Sequence, residues 1–139
     1  MADDRSLVEV QLVSDTAAVP APDMLLVGPL SSSYADVLHV VSEGELKRGT
    51  VLMSMAGSDD FTLCTQSGLT AAQAYAILAE DITIGAGEYA DVACYIAGEF
   101  NSDLVTFPWE DESMDHDEVA ESARGALRRS SILLRKVVK

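Results

Sequence analysis

The spacing of apolar positions changes along the chain, and each change marks an element. From Asp36 to Thr65 apolar and polar residues come in short runs with a period near two. Val37, His39 and Val41 fall on one side of the first run and Leu38 and Val40 on the other, which predicts a strand buried on both faces with His39 in the core. Glu43-Gly44-Glu45 turns the chain before Gly49-Thr50-Val51-Leu52-Met53, and Gly57-Ser58-Asp59-Asp60 turns it again before Phe61-Thr62-Leu63-Cys64-Thr65. Gly and Asp are the residues such turns require, and the spacing predicts a small all-β framework. Strands are expected at Ala74–Ile82, Val92–Asn101 and Asp103–Thr106, with a Gly-rich turn between the first two.

The period then lengthens. Val119, Ala123, Ala126 and Leu127 share one face of a predicted helix, capped by Asp115 with Glu118 three residues on. Asp117, Glu118 and Glu121 occupy its first turns and Arg124, Arg128 and Arg129 its last, as the helix dipole favours. Gly125 inside this helix predicts close packing against a neighbour or an early end. Ile132 to Val138 reads as a returning strand.

Residues 1–35 follow no period. An apolar patch (Leu7, Val8, Val10, Leu12, Val13) is followed by Ala17-Ala18-Val19-Pro20-Ala21-Pro22 and by Ser31-Ser32-Ser33. Prolines at this density deny the segment a ladder or helix. It reads as an extended, partly disordered arm carrying one quartet, Met24-Leu25-Leu26-Val27, that seeks burial. The expected fold is therefore mainly β (α+β): a small compact β-barrel-like domain over 36–139, with one short C-terminal helix and the arm over 1–35.

Composition narrows the function. At 139 residues, 48% of them hydrophobic, the chain fits one folded domain, and with 6% aromatics its core must be aliphatic. A formal charge of −14 argues against a nucleic-acid surface, which needs clustered Lys and Arg. The polar start Met1-Ala2-Asp3-Asp4-Arg5 does not read as a secretory signal, and no run approaches the ~20 apolar residues of a membrane span. Synthesis in the cytoplasm without membrane attachment is expected. Cys64 and Cys94 stand in apparent strands without CxxC spacing, so reduced, partly buried thiols are expected rather than a disulfide.

Nothing assembles a catalytic site. Gly85-Ala86-Gly87-Glu88-Tyr89-Ala90 matches a dinucleotide fingerprint, but a strand follows it where the phosphate-binding mechanism needs a helix N-terminus. Glu80 and Asp81 are neighbours, and regular strand geometry would point them to opposite faces; a strand end holding loop amides explains them. Asp115-His116-Asp117 would need metal ligands from elsewhere, and a hydrophilic helix start accounts for it. No Gly-x-Ser-x-Gly elbow exists, and the acidic run Glu110–Glu121 lacks calcium-loop spacing. No catalytic, cofactor-binding or metal-ligating residue is assigned, and no enzyme activity is expected. Phe107-Pro108-Trp109 has two readings, a plug for one barrel end or an interface anchor.

One resemblance connects these segments. Asp23-Met24-Leu25-Leu26-Val27-Gly28, Glu45-Leu46-Lys47-Arg48-Gly49-Thr50-Val51-Leu52, Ala76-Ile77-Leu78-Ala79-Glu80-Asp81 and Tyr95-Ile96-Ala97-Gly98-Glu99-Phe100-Asn101, with Leu127, Leu133 and Lys136, occur in the order seen in lambda-type head decoration proteins of tailed phages. The chain resembles that family over roughly 23–138. The resemblance implies a virion protein on the capsid exterior, a homotrimer at three-fold positions that binds the major capsid protein of the expanded head. It implies stabilisation against internal DNA pressure, with the arm ordering on binding. Met24, Leu25, Leu26 and Val27 become the expected capsid contacts, with Phe107 and Trp109 as further interface residues. Replacing Leu25 and Leu26 by Asp is then expected to abolish capsid binding without unfolding the chain. The alternative is a low-copy virion, tail or host-surface binding module.

Overall fold

Successive residues of the central strands face two different apolar layers, and this sets the architecture. The computed structural model describes residues 24–27 and 33–136. Its elements are β1 (Tyr34–Val40), β2 (Gly44–Leu46), β3 (Val51–Met55), β4 (Asp60–Leu63), the single-turn α1 (Gly68–Ala71), β5 (Ala72–Leu78), β6 (Ile82–Ile84), β7 (Ala90–Asn101), a 3-10 turn (Ser102–Leu104), α2 (His116–Arg128) and β8 (Ile132–Arg135). Five strands run in the order β1-β4-β3-β5-β7, and β7 pairs back onto β1 to close a barrel. The fold is thus mainly β, a small barrel with one main helix, as the sequence pattern predicts.

The 12-residue β7 is the spine. Its first part pairs antiparallel with β1, Cys94 and Tyr95 pair with β5, and Gly98 to Asn101 pair parallel with β8. A register shift opposite Tyr34/Ala35 lets one strand serve both the barrel and this extension. The short pair β2–β6 forms a separate two-stranded sheet.

Inside the barrel, Val40, Leu46, Leu52, Phe61, Ala76, Leu78, Ile84, Val92 and Cys94 form one cluster. The alternate residues Val51, Met53, Tyr75 and Ile77 belong to a second cluster with Phe100, Phe107, Ile132, Leu134 and the apolar face of α2. Val51 to Ser54 and Tyr75 to Leu78 are consequently buried at every position. The helix is positioned by Asp115, whose Oδ1 accepts from the Asp117 amide at 2.9 Å, and buries Val119, Ala120, Ala123, Ala126 and Leu127. Ser131, with φ 63°, reverses the chain into β8.

Four details differ from the pattern-based expectations. Val37 is 63% exposed, so β1 buries one face only; its other face carries His39, which meets Asp91 and Tyr89 instead of the core. Residues 103–106 do not form a strand. Asn101 Oδ1 accepts from the Asp103 amide at 3.1 Å and starts the 3-10 turn, leaving only a single bridge from Thr106 to Thr50. Gly125 lies within α2 with nothing within 4 Å of where a Cβ would sit, so neither close packing nor a helix end explains it. The β ladder opens at Tyr34↔Ala97, ahead of the boundary at 36, and residues 24–27 already pack on the barrel. The remaining arm, 1–23 and 28–32, lies outside the described residues, as do 137–139.

Candidate interaction surface

The quartet Met24–Val27 runs along the end of β7. The Val27 amide donates to the Glu99 carbonyl at 3.1 Å and the Asn101 amide to the Leu25 carbonyl at 2.7 Å, with Leu26 bridging Phe100. Burial divides the four residues. Leu25 is 1% exposed in the layer beneath α2, Leu26 and Val27 are half-buried, and Met24 is 58% exposed. Leu25 is therefore a core residue as the chain stands. The expectation that aspartate at Leu25 spares the fold is corrected, because it would bury an unpaired carboxylate.

Phe107 and Trp109 lie with ring centroids 5.5 Å apart, and Phe107 also meets the His116 ring at 5.4 Å. Phe107 is 2% exposed and belongs to the core, whereas Trp109 is half-buried over the helix side. A hollow of about 330 Å³ beside Trp109 is lined by Gln66, Met114, Glu118 and Ser122 among others. Exposed Val37 and Tyr89, with half-buried His39 against the Tyr89 ring, form a stripe that the sequence pattern did not reveal. Its signal was the same-side pair Val37/His39, read as a second buried face.

The polar residues weighed for chemistry have structural partners. Asp81 Oδ1 accepts from the Arg48 amide at 2.8 Å, and Glu80 Oε2 from the Ala93 amide at 3.4 Å, so both carboxylates hold backbone amides as expected. Arg48 Nη1 donates to the Ala79 carbonyl and to Tyr95 Oη, tying this corner to β7. Gly85–Gly87 leads into β7 with no helix after it, which removes the geometry a pyrophosphate requires.

Asp115-His116-Asp117 is likewise engaged. His116 Nδ1 lies 2.8 Å from Glu110 Oε1 and Nε2 lies 2.7 Å from the Ser102 carbonyl. Partial burial pulls its pKa down, but two acceptors on two ring nitrogens outweigh that, and the residue sits above its ordinary value. Asp117 pairs with Lys136 at 3.1 Å. Among the described residues no group of three or more His, Cys, Asp or Glu side chains is placed to hold a metal.

The thiols are buried and unpaired. Burial pushes Cys64 up to about 11 against a weak lowering by the Thr65 carbonyl, and burial together with the Glu80 charge pushes Cys94 up to about 12. Neither is a poised nucleophile, since the thiolate is the reactive form. Among the described residues no helix is long and apolar enough to cross a membrane.

Comparison with known protein families finds no matching family model for this sequence, and comparison with curated proteins finds no match.

Proposed function

We propose that this protein is a structural component of a tailed-phage head, a decoration protein that binds the outside of the expanded shell as trimers at three-fold positions and braces it against DNA pressure. The observation that carries the reading is spatial. The segments bearing the resemblance, around Ala76–Asp81, Tyr95–Asn101 and Leu127–Lys136, supply β5, β7 and β8, which are consecutive in one sheet. Segments scattered over sixty residues thereby form one continuous stretch of sheet, with Met24–Val27 laid along its central strand.

In this reading Met24 makes first contact with the major capsid protein, Leu26 and Val27 follow, and Leu25 anchors the segment to the barrel. An extended segment that joins a sheet edge gains main-chain hydrogen bonds and fills pockets with alternate side chains. Three arms on one trimer give avidity that a single arm lacks. Selective binding to the expanded shell stabilises that shell by mass action.

Quantitative mass spectrometry of purified virions tests the proposal. A copy number near that of the major capsid protein is expected, with binding to expanded but not unexpanded heads. A handful of copies, or absence from the particle, overturns it. Met24→Asp should weaken head binding while the circular dichroism spectrum stays unchanged.

A further inference from the structure

Only nine Lys and Arg residues serve a chain of formal charge −14, yet four of them line one hollow. The hollow has a volume of about 420 Å³ and lies between α2 and β8, walled by Arg124, Arg128, Leu133, Leu134, Arg135 and Lys136. Among the described residues no carboxylate lines it. The acids that neutralise this region sit outside it: Glu121 on Arg124, Glu99 on Arg135, Asp103 and Asp117 on Lys136.

Donor capacity remains after those pairings. Arg135 meets Glu99 through Nε at 2.9 Å, and Arg124 uses Nε on Glu121 and Nη1 on the Leu134 carbonyl. A guanidinium carries five N–H donors in a planar fork, so both retain unspent ones. The Arg128 side chain has no hydrogen-bond or ion-pair partner among the described residues and is exposed, one turn beyond Arg124 on the same helix. The helix dipole explains a single cation at this end of α2. It does not explain four cations from two elements lining one space to which no described residue brings a carboxylate.

We propose that this hollow binds a small, multiply charged oxyanion, a molecule bearing two or more phosphate or carboxylate groups. Arginine forks match both groups bidentately, and the volume is in the range of small-ligand sites, roughly 300–1,000 Å³. A nucleic-acid duplex fits poorly: it needs an extended basic surface, and the rest of this chain repels it. The inference does not depend on the capsid reading, since the site is complete in one copy of the chain.

Isothermal titration of the full chain with inorganic pyrophosphate, citrate and sulfate, at matched low ionic strength, tests it. Saturable 1:1 binding of pyrophosphate or citrate is expected, tighter than sulfate, with Arg128→Gln weakening it at least about tenfold. The Arg128 side chain holds no hydrogen bond or ion pair among the described residues, and an unchanged circular dichroism spectrum of the variant ties its effect to the site. Preference for pyrophosphate assigns a phosphate ligand, and preference for citrate a carboxylate one. Absence of saturable binding, equal affinity for sulfate, or unchanged affinity in Arg128→Gln overturns the proposal.

Discussion

The two apolar layers on either side of the barrel wall are built differently. The interior layer draws almost wholly on strands, and small residues such as Ala76 and Cys94, both fully buried, let the wall close. The layer beneath α2 gathers Leu25 from the arm, Phe100 from the end of β7, Val105 and Phe107 from a loop, five helix residues, and Ile132 and Leu134 from the last strand. A barrel interior follows from alternation alone, whereas the outer layer exists only once distant parts of the chain have met. The outer layer is thus where the arm is committed to the fold.

The sharpest way to break that layer is Leu25→Asp. It buries a charge in an apolar layer, a loss above about 4 kcal/mol, which leaves little folded protein. Met24→Asp, one residue earlier and exposed, should change stability by less than about 0.5 kcal/mol. Paired urea titrations separate the two; equal effects would mean that the arm is not seated on β7.

Alkali tests both layers together, because each holds one thiol. Both pKa values are raised in the fold, so their stabilisation is complete below the ordinary 9.0 and is lost as pH rises toward about 11 for Cys64 and about 12 for Cys94. At pH 11 the combined loss is on the order of 5 kcal/mol. Replacing Cys94 by Ala should flatten the steepening of urea midpoints above pH 9. An unchanged slope would show that the thiol ionises freely in the native state.

Overpacking distinguishes a closed wall from a movable one. Ala76→Leu adds volume inside a ring of strands and should destabilise by about 1–3 kcal/mol. Ala126→Leu, at the 9% exposed rim of the outer layer, should be milder at below about 1 kcal/mol, because α2 can shift outward. Thermal midpoints of the two variants give the ordering, and the reverse order would make the helix the more rigid boundary.

His116 tests how that helix start is held. Its pKa is raised in the fold, so its contribution is full below about 6.5, the value of an unfolded histidine, and fades as pH rises through the folded value. Charge-assisted bonds of this class are worth about 1.5–3 kcal/mol net. His116→Gln should remove the decline in stability between mildly acidic and neutral pH, read by urea midpoints across that range; a persistent decline would assign it to another group.

Much of this was legible in the sequence for a physical reason. The cap at Asp115, the helix face from Val119 to Leu127 and the returning strand at Ile132 are encoded within a few residues of where they act. The role of Leu25 was not, because its partners lie far along the chain. Val37 misled because alternation reports periodicity, not whether anything covers the second face. The run Asp103–Thr106 misled because Asn101 offers the backbone a local turn that competes with the ladder. The basic hollow was split between a helix and a strand: Arg124 and Arg128 read as helix-end charges, while Arg135 and Lys136 fell in the returning strand.

Gly125 separates local propensity from packing at the smallest scale. A glycine inside a helix is tolerated when a neighbour leaves no room for a side chain or when the chain must turn. Neither applies, since the residue is exposed, a built Cβ meets nothing within 4 Å, and α2 continues to Arg128. Gly125→Ala should therefore stabilise the protein by about 0.5–1 kcal/mol through backbone entropy and helix propensity alone. Thermal unfolding should show a rise of a few degrees with no change in the oxyanion titration. A fall in stability would instead mean that the exposed side of α2 packs against something in solution, and the outer layer would then be thicker than one helix.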